Sequence, residues 1–142
     1  MSNISELLFR PFESEKLSLP NRIVMAPMTR NHSPKWIPEQ ATAEYYARRA
    51  ASNTGLIITE GTPVNHIASN GYEGVPRFFG EEALAGWKKV VEAVHAEGGK
   101  IMPQIWHVGS MRKPGMGPDP EIPGYSPSGY STPGKKRCHA VS

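Results

Sequence analysis

The sequence predicts an α/β protein of the (β/α)8 barrel class, with only about the first three βα units present. Three observations predict it. Apolar runs at 22–25, 56–59 and 100–106 alternate with two helical stretches. The helix-to-strand turns are short and the connections leaving the strands are long, which sets the long loops on one face. Each run also ends in polar residues able to meet a ligand, as strands do at the carboxyl rim where barrels build their sites. A complete barrel takes about 250 residues and eight strands. Residues 1–142 therefore read as the N-terminal part of a single barrel domain, incomplete by itself.

Each element has its own cause. Residues 5–19 are a lead-in in which Leu17 and Leu19 alternate with polar neighbours, and Pro20-Asn21 is a turn signal. The run 22–25 lacks polar alternation, as a strand covered on both faces does, and Pro27 closes it. A helix is expected over 39–52: Pro38 suits its entry, Glu39 the positive end of its dipole, and Arg48 and Arg49 the negative end. Asn53-Thr54-Gly55 stops it. The second strand, 56–59, ends in Glu60-Gly61-Thr62, and a Gly-, Asn- and Pro-rich loop follows over 63–80, long enough to be a lid or binding loop. Residues 81–97 form the clearest helix, with Leu84, Trp87, Val91 and Val94 on one face and Val90 beside them. Pro103 removes a ladder donor from the third strand, so a bulge is expected there. Residues 109–134 are saturated with Pro and Gly and read as a further long loop.

Composition narrows the function classes. With 38% hydrophobic and 20% charged residues, the chain has the balance of a globular protein with a core. The net charge of +3 is spread out except at Lys135-Lys136-Arg137, which reads as a solvated loop and argues against nucleic-acid or membrane partners. No stretch has the apolar length of a membrane span or the layout of a signal peptide. The single cysteine, Cys138, excludes an internal disulfide framework and suits a cytoplasmic location; with no base evident beside it, it reads as incidental.

The strand ends carry the candidate chemistry. Thr29 offers a hydroxyl that both donates and accepts; it could tune a planar cofactor, though spacing alone favours a turn bonded to local backbone. Gly61 permits close approach of backbone to a ligand, or simply a tight turn. Glu60 reads as a buried acid with no assignable partner. Gln104 places an amide on an apolar strand, complementary to a uracil-like ring edge, and Trp106 shares its side of the strand. His107 reads as a structural hydrogen-bonder, because no second metal ligand stands at recognisable spacing, and no metal is expected. No dinucleotide fingerprint or phosphate loop is present.

Five motifs in order add to this reading: Ala26-Pro27-Met28-Thr29-Arg30, Tyr45-Tyr46-Ala47-Arg48-Arg49-Ala50, Gly55 to Thr62, Gly71-Tyr72-Glu73-Gly74-Val75-Pro76 and Gln104-Ile105-Trp106-His107-Val108-Gly109. Together, over about residues 8–136, the chain resembles the N-terminal part of the Old Yellow Enzyme family of FMN-dependent ene reductases and NAD(P)H:flavin oxidoreductases. The resemblance implies a (β/α)8 barrel holding FMN non-covalently at its carboxyl mouth. It implies that Pro27 and Met28 pack or bond near the flavin ring, that Thr29 bonds near flavin O4 and N5, and that Gly61 gives a backbone contact. Gln104 would bind the pyrimidine edge, while Tyr72 and Trp106 would line the substrate side. The implied reaction passes hydride from NAD(P)H through the flavin to the β-carbon of an activated alkene, such as an α,β-unsaturated carbonyl.

The chain also departs from the pattern. Many relatives carry Arg after the Trp-His-x-Gly run, where Ser110 stands here and the next arginine is Arg112. The family's paired substrate-gripping side chains, its proton-donating tyrosine, a flavin-contacting arginine and its phosphate loops all come later, and neither His107 nor His139 stands in for them. One expectation is thus the N-terminal segment of a flavin-dependent ene reductase, inactive without further chain. The other is a non-catalytic fragment that binds flavin weakly or not at all, or acts only by association. A different barrel enzyme, such as a sugar-phosphate isomerase, would not need the Gln104–Trp106 arrangement. Unpaired barrel edges predict a chain that aggregates or associates.

Overall fold

The computed structural model describes residues 4–141. A short helix, α1 (Ile4–Leu8), leads into an antiparallel hairpin of β1 (Phe12–Glu13) and β2 (Ser18–Leu19), so the expected lead-in is itself structured. The central sheet follows: β3 (Val24–Met25), helix α2 (Gln40–Ala51), β4 (Leu56–Pro63), helix α3 (Glu81–Ala96) and β5 (Ile101–Trp106). The three strands are parallel in the order β3-β4-β5.

One row of the sheet explains where the core sits. Met25, Ile57 and Ile101 are register partners, and all three pack on the helical layer. Against them lie Ala43, Tyr46 and Ala50 from α2 and Trp87, Val90 and Val94 from α3. Side chains alternate along a strand, so the next row faces the opposite way. There Val24 and Met102 are 46% and 47% exposed, because none of the described residues forms a layer over that face.

The helices run close to their expected bounds, but the buried face of α3 is rotated from the expected one. Ala83, Gly86, Trp87, Val90 and Val94 are buried, whereas Leu84 is exposed and Val91 only partly covered. Gly86 explains the rotation. A Cβ there would sit 2.5 Å from the Pro38 carbonyl oxygen, so the helix meets the entry to α2 through its glycine.

Pro103 does mark a bulge, but the extra residue lies on the neighbouring strand. Ile58 pairs with Met102 and Gly61 with Gln104, so three steps on β4 match two on β5. Thr59 repairs the ladder: its hydroxyl accepts the Gln104 N–H at 3.1 Å and donates to the Glu60 carbonyl at 2.7 Å.

The Pro- and Gly-rich segment expected as one loop holds small ladders instead. Strand β6 (Gly124–Ser126) pairs in parallel with β9 (Cys138–Ala140), and β7 (Tyr130–Thr132) pairs antiparallel with β8 (Lys135–Lys136). Their organiser is Arg112, which is 1% exposed. Its five N–H groups are all used, on the carbonyls of Ile122, Asn70, Gly117, Met116 and Asp119. A buried guanidinium satisfied in this way folds proline-rich backbone that has few amide donors of its own.

Candidate functional site

The site forms where β3, β4 and β5 end. The β4 bulge shifts the side-chain alternation by one residue. Glu60 thereby faces the helical layer, and Gly61 joins Gln104, its register partner, on the uncovered face. Gly61 lies directly against the indole of Trp106: a Cβ there would come within 2.3–2.4 Å of three ring atoms. The Trp106 ring in turn stacks on Tyr72 at 6.0 Å and 25°. Gly61, Gln104, Trp106 and Tyr72 therefore form one cluster, although Tyr72 comes from the loop following β4.

Pro27, Met28 and Thr29 follow β3, with Met28 and Thr29 exposed. They are tied to the cluster through the next residue. The Arg30 N–H donates to Glu60 Oε2 and the Arg30 Nε to Glu60 Oε1, each at 3.1 Å. Arg30 also reaches Thr42 Oγ1 at 3.0 Å and lies over the Tyr45 ring at 4.1 Å. The Tyr46 hydroxyl accepts the Glu60 N–H at 2.9 Å. Burial pushes the Tyr46 pKa up to about 12, with the Glu60 carboxylate adding to the rise.

Glu60 thus has a partner that could not be assigned from sequence. A carboxylate inside an apolar strand requires a cation, and Arg30, at the end of the preceding strand, supplies it. His107 bonds His66 and the Gly109 N–H, as expected of a structural hydrogen-bonder. Among the described residues no group of three or more His, Cys, Asp or Glu is arranged to hold a metal ion.

The profile of the NADH:flavin oxidoreductase / NADH oxidase family matches residues 7–140. The chain belongs to this family. Flavin oxidoreductase hxnT of Emericella nidulans is 43% identical over 123 residues, covering 82% of this chain and 31% of the relative. 12-Oxophytodienoate reductase 7 of Oryza sativa subsp. japonica is 46% identical over 102 residues, 72% of this chain and 25% of the relative. Among solved structures, morphinone reductase in complex with tetrahydroNAD superposes with a TM-score of 0.77 at 42% identity, over 84% of this chain and 32% of that one. The Old Yellow Enzyme homologue from Zymomonas mobilis gives a TM-score of 0.80 at 32% identity, over 95% and 39%. The chain thus folds as part of the (β/α)8 barrel of this flavin oxidoreductase family, and it spans about a third of the length of the curated relatives it matches.

The residues present fit the flavin that the family implies. Both backbone groups of Gln104 are engaged, its N–H by Thr59 and its carbonyl by the Thr62 hydroxyl at 2.9 Å. Its half-buried side-chain amide makes no hydrogen bond to any described residue, which leaves donor and acceptor for a ring edge. Trp106 Nε1 beside it is buried and unpartnered.

Proposed function

We propose that residues 1–142 supply one wall of an FMN site in a single barrel domain, and that the completed barrel is an ene reductase. The observation that carries the reading is the convergence of Gly61, Gln104, Trp106 and Tyr72 on one face at the strand ends, with the Gln104 amide unused. When bound, FMN would supply the two-electron relay between NAD(P)H and an activated alkene. The Gln104 amide would hold the pyrimidine edge, and Gly61, whose missing side chain admits the Trp106 indole, would offer its backbone beside it. Pro27 and Met28 would pack beside the ring, and the Thr29 hydroxyl would donate a hydrogen bond that tunes its potential. Tyr72 and Trp106 would form the apolar, water-excluding side where a small alkene lies. The Arg30–Glu60 pair fixes the spacing between the Thr29 and Gly61 segments.

The chain as encoded, mixed with FMN, tests this by visible absorbance near 450 nm (roughly, for any protein-bound flavin) and by a binding titration. Bound flavin is expected, and Gln104→Ala should weaken it by about fivefold, from about 1 kcal/mol of lost hydrogen bonding. A chain that gains no flavin absorbance would reject the reading for these residues. A second reading draws on the exposed face and edges of the three-stranded sheet: the chain is non-catalytic and acts by association with further chain. Under it, flavin binds only after that association.

A further inference from the structure

His66, in the loop after β4, and His107, directly after β5, meet with His107 Nε2 3.0 Å from His66 Nδ1. Backbone amides fix the role of each nitrogen. Gly109 N–H donates to His107 Nδ1 at 3.0 Å, so the one ring proton of His107 sits on Nε2. Ala68 N–H donates to His66 Nδ1 at 3.3 Å, so that nitrogen is unprotonated too and accepts from His107. The set closes only when both rings are neutral. Tyr125 of β6 lies across the pair, 5.1 Å from the His66 ring and 6.4 Å from that of His107, and His139 of β9 packs on the far side of Tyr125 at 5.1 Å.

We propose that the His66–His107 pair is a pH-operated clasp, closed while both rings are neutral, that holds the β6/β9 ladder against the loops leaving β4 and β5. Protonating His107 on Nδ1 would set an N–H against the Gly109 N–H. Protonating His66 on Nδ1 would oppose both Ala68 and His107. No carboxylate offsets the added charge among the described residues around the pair. The titratable groups facing it are Tyr125 and, beyond it, His139; Val64, Ser126, Pro127 and Val141 complete that side, and Arg77 lines the adjoining cavity against His66. Burial, with His66 adding to it, already holds the His107 pKa below the usual 6.5. The same hydrogen bonds argue against a metal chelate. A ring ligating through Nε2 carries its proton on Nδ1, where the Gly109 N–H already points.

The sign follows from linkage. The unfolded or opened state takes up protons first as pH falls below 6.5, so the closed state loses ground on acidification and is unaffected above that range. Amide NMR of the full chain between pH 8 and pH 5 tests the clasp. The Gly109 amide, bonded to His107 Nδ1, should titrate with a midpoint below 6.5. Over the same range, exchange protection in β6 and β9, corrected for intrinsic rates, should fall about tenfold, the scale of a lost hydrogen bond. The double variant His66→Asn/His107→Asn should abolish the pH-dependent loss of protection, and His139→Gln should leave it in place. Protection that does not change with pH, a Gly109 midpoint at or above 6.5, or a pH-dependent loss that survives the double variant would each overturn the proposal. The wild-type titration decides the matter even where a variant fails to fold.

Discussion

At the scale of single residues, the Arg30–Glu60–Tyr46 network is where energy is concentrated. Glu60 is fully buried and its side chain has one cationic partner, Arg30, itself 13% exposed. Removing one member of such a pair leaves the other buried without compensation, at a cost of about 3–5 kcal/mol. Glu60→Ala should therefore lower the urea-unfolding free energy by about 3 kcal/mol or more, and Glu60→Gln by less, because the amide oxygen still accepts from Arg30. Equal effects from the two variants would show that the charge accounts for the whole loss, and an unchanged stability in Glu60→Gln would show that it contributes nothing. Tyr46 gives a second, pH-dependent readout. Its folded pKa of about 12 lies above the ordinary 10, so the unfolded chain loses that proton first as pH rises. The contribution is fully present below pH 10 and is lost between pH 10 and about 12. One of the five tyrosines should titrate last in ultraviolet absorbance, and Tyr46→Phe should remove that step.

At the scale of elements, close approach outweighs intrinsic propensity. In an exposed helix, Gly→Ala gains about 1 kcal/mol. Gly86 in α3 should reverse that sign, because the new methyl would sit 2.5 Å from the Pro38 carbonyl oxygen and 3.0 Å from its ring. A net loss of about 1–3 kcal/mol is expected for Gly86→Ala in thermal or urea unfolding. A gain would mean that α3 shifts freely away from the entry to α2. The same distinction explains what the sequence made legible. Helix bounds and the three strands were readable because periodicity and stop signals are local. The buried face of α3 was not, since Gly86 and Ala83 carry no hydrophobic signal and are buried by what they meet. The β4 bulge was equally hidden. Pro103 advertised a broken ladder, but only the paired strand shows which side takes the extra residue, and that choice turns Glu60 toward Arg30 and Gly61 toward Gln104. Gly61, Gln104, Tyr72 and Trp106 were nameable from motif order, whereas their contact depends on a loop returning from β4, which no local pattern encodes.

At the scale of the whole molecule, the sheet has two helices on one face and little on the other. Val24 and Met102 on the open face are 46% and 47% exposed, Ile105 on the helical side of β5 is 59% exposed, and β3 and β5 are the sheet's edges. Edge strands present unpaired backbone groups, and an exposed apolar face beside them adds a hydrophobic drive toward association. Neither edge carries the usual protections along its length: Pro103 interrupts β5 once, and Val24–Met25 has no charge of its own. The chain as encoded should therefore sediment as associated species, with an average mass that rises with concentration. Replacing Met102 and Ile105 by Lys should lower that mass and leave the helical circular-dichroism signal in place, because both side chains are exposed rather than members of the core row. A monomer at all concentrations, unfolding in a single cooperative transition, would show instead that the helical layer alone stabilises the sheet. The remaining face would then be open to a flavin or to further barrel strands rather than to another copy of the chain.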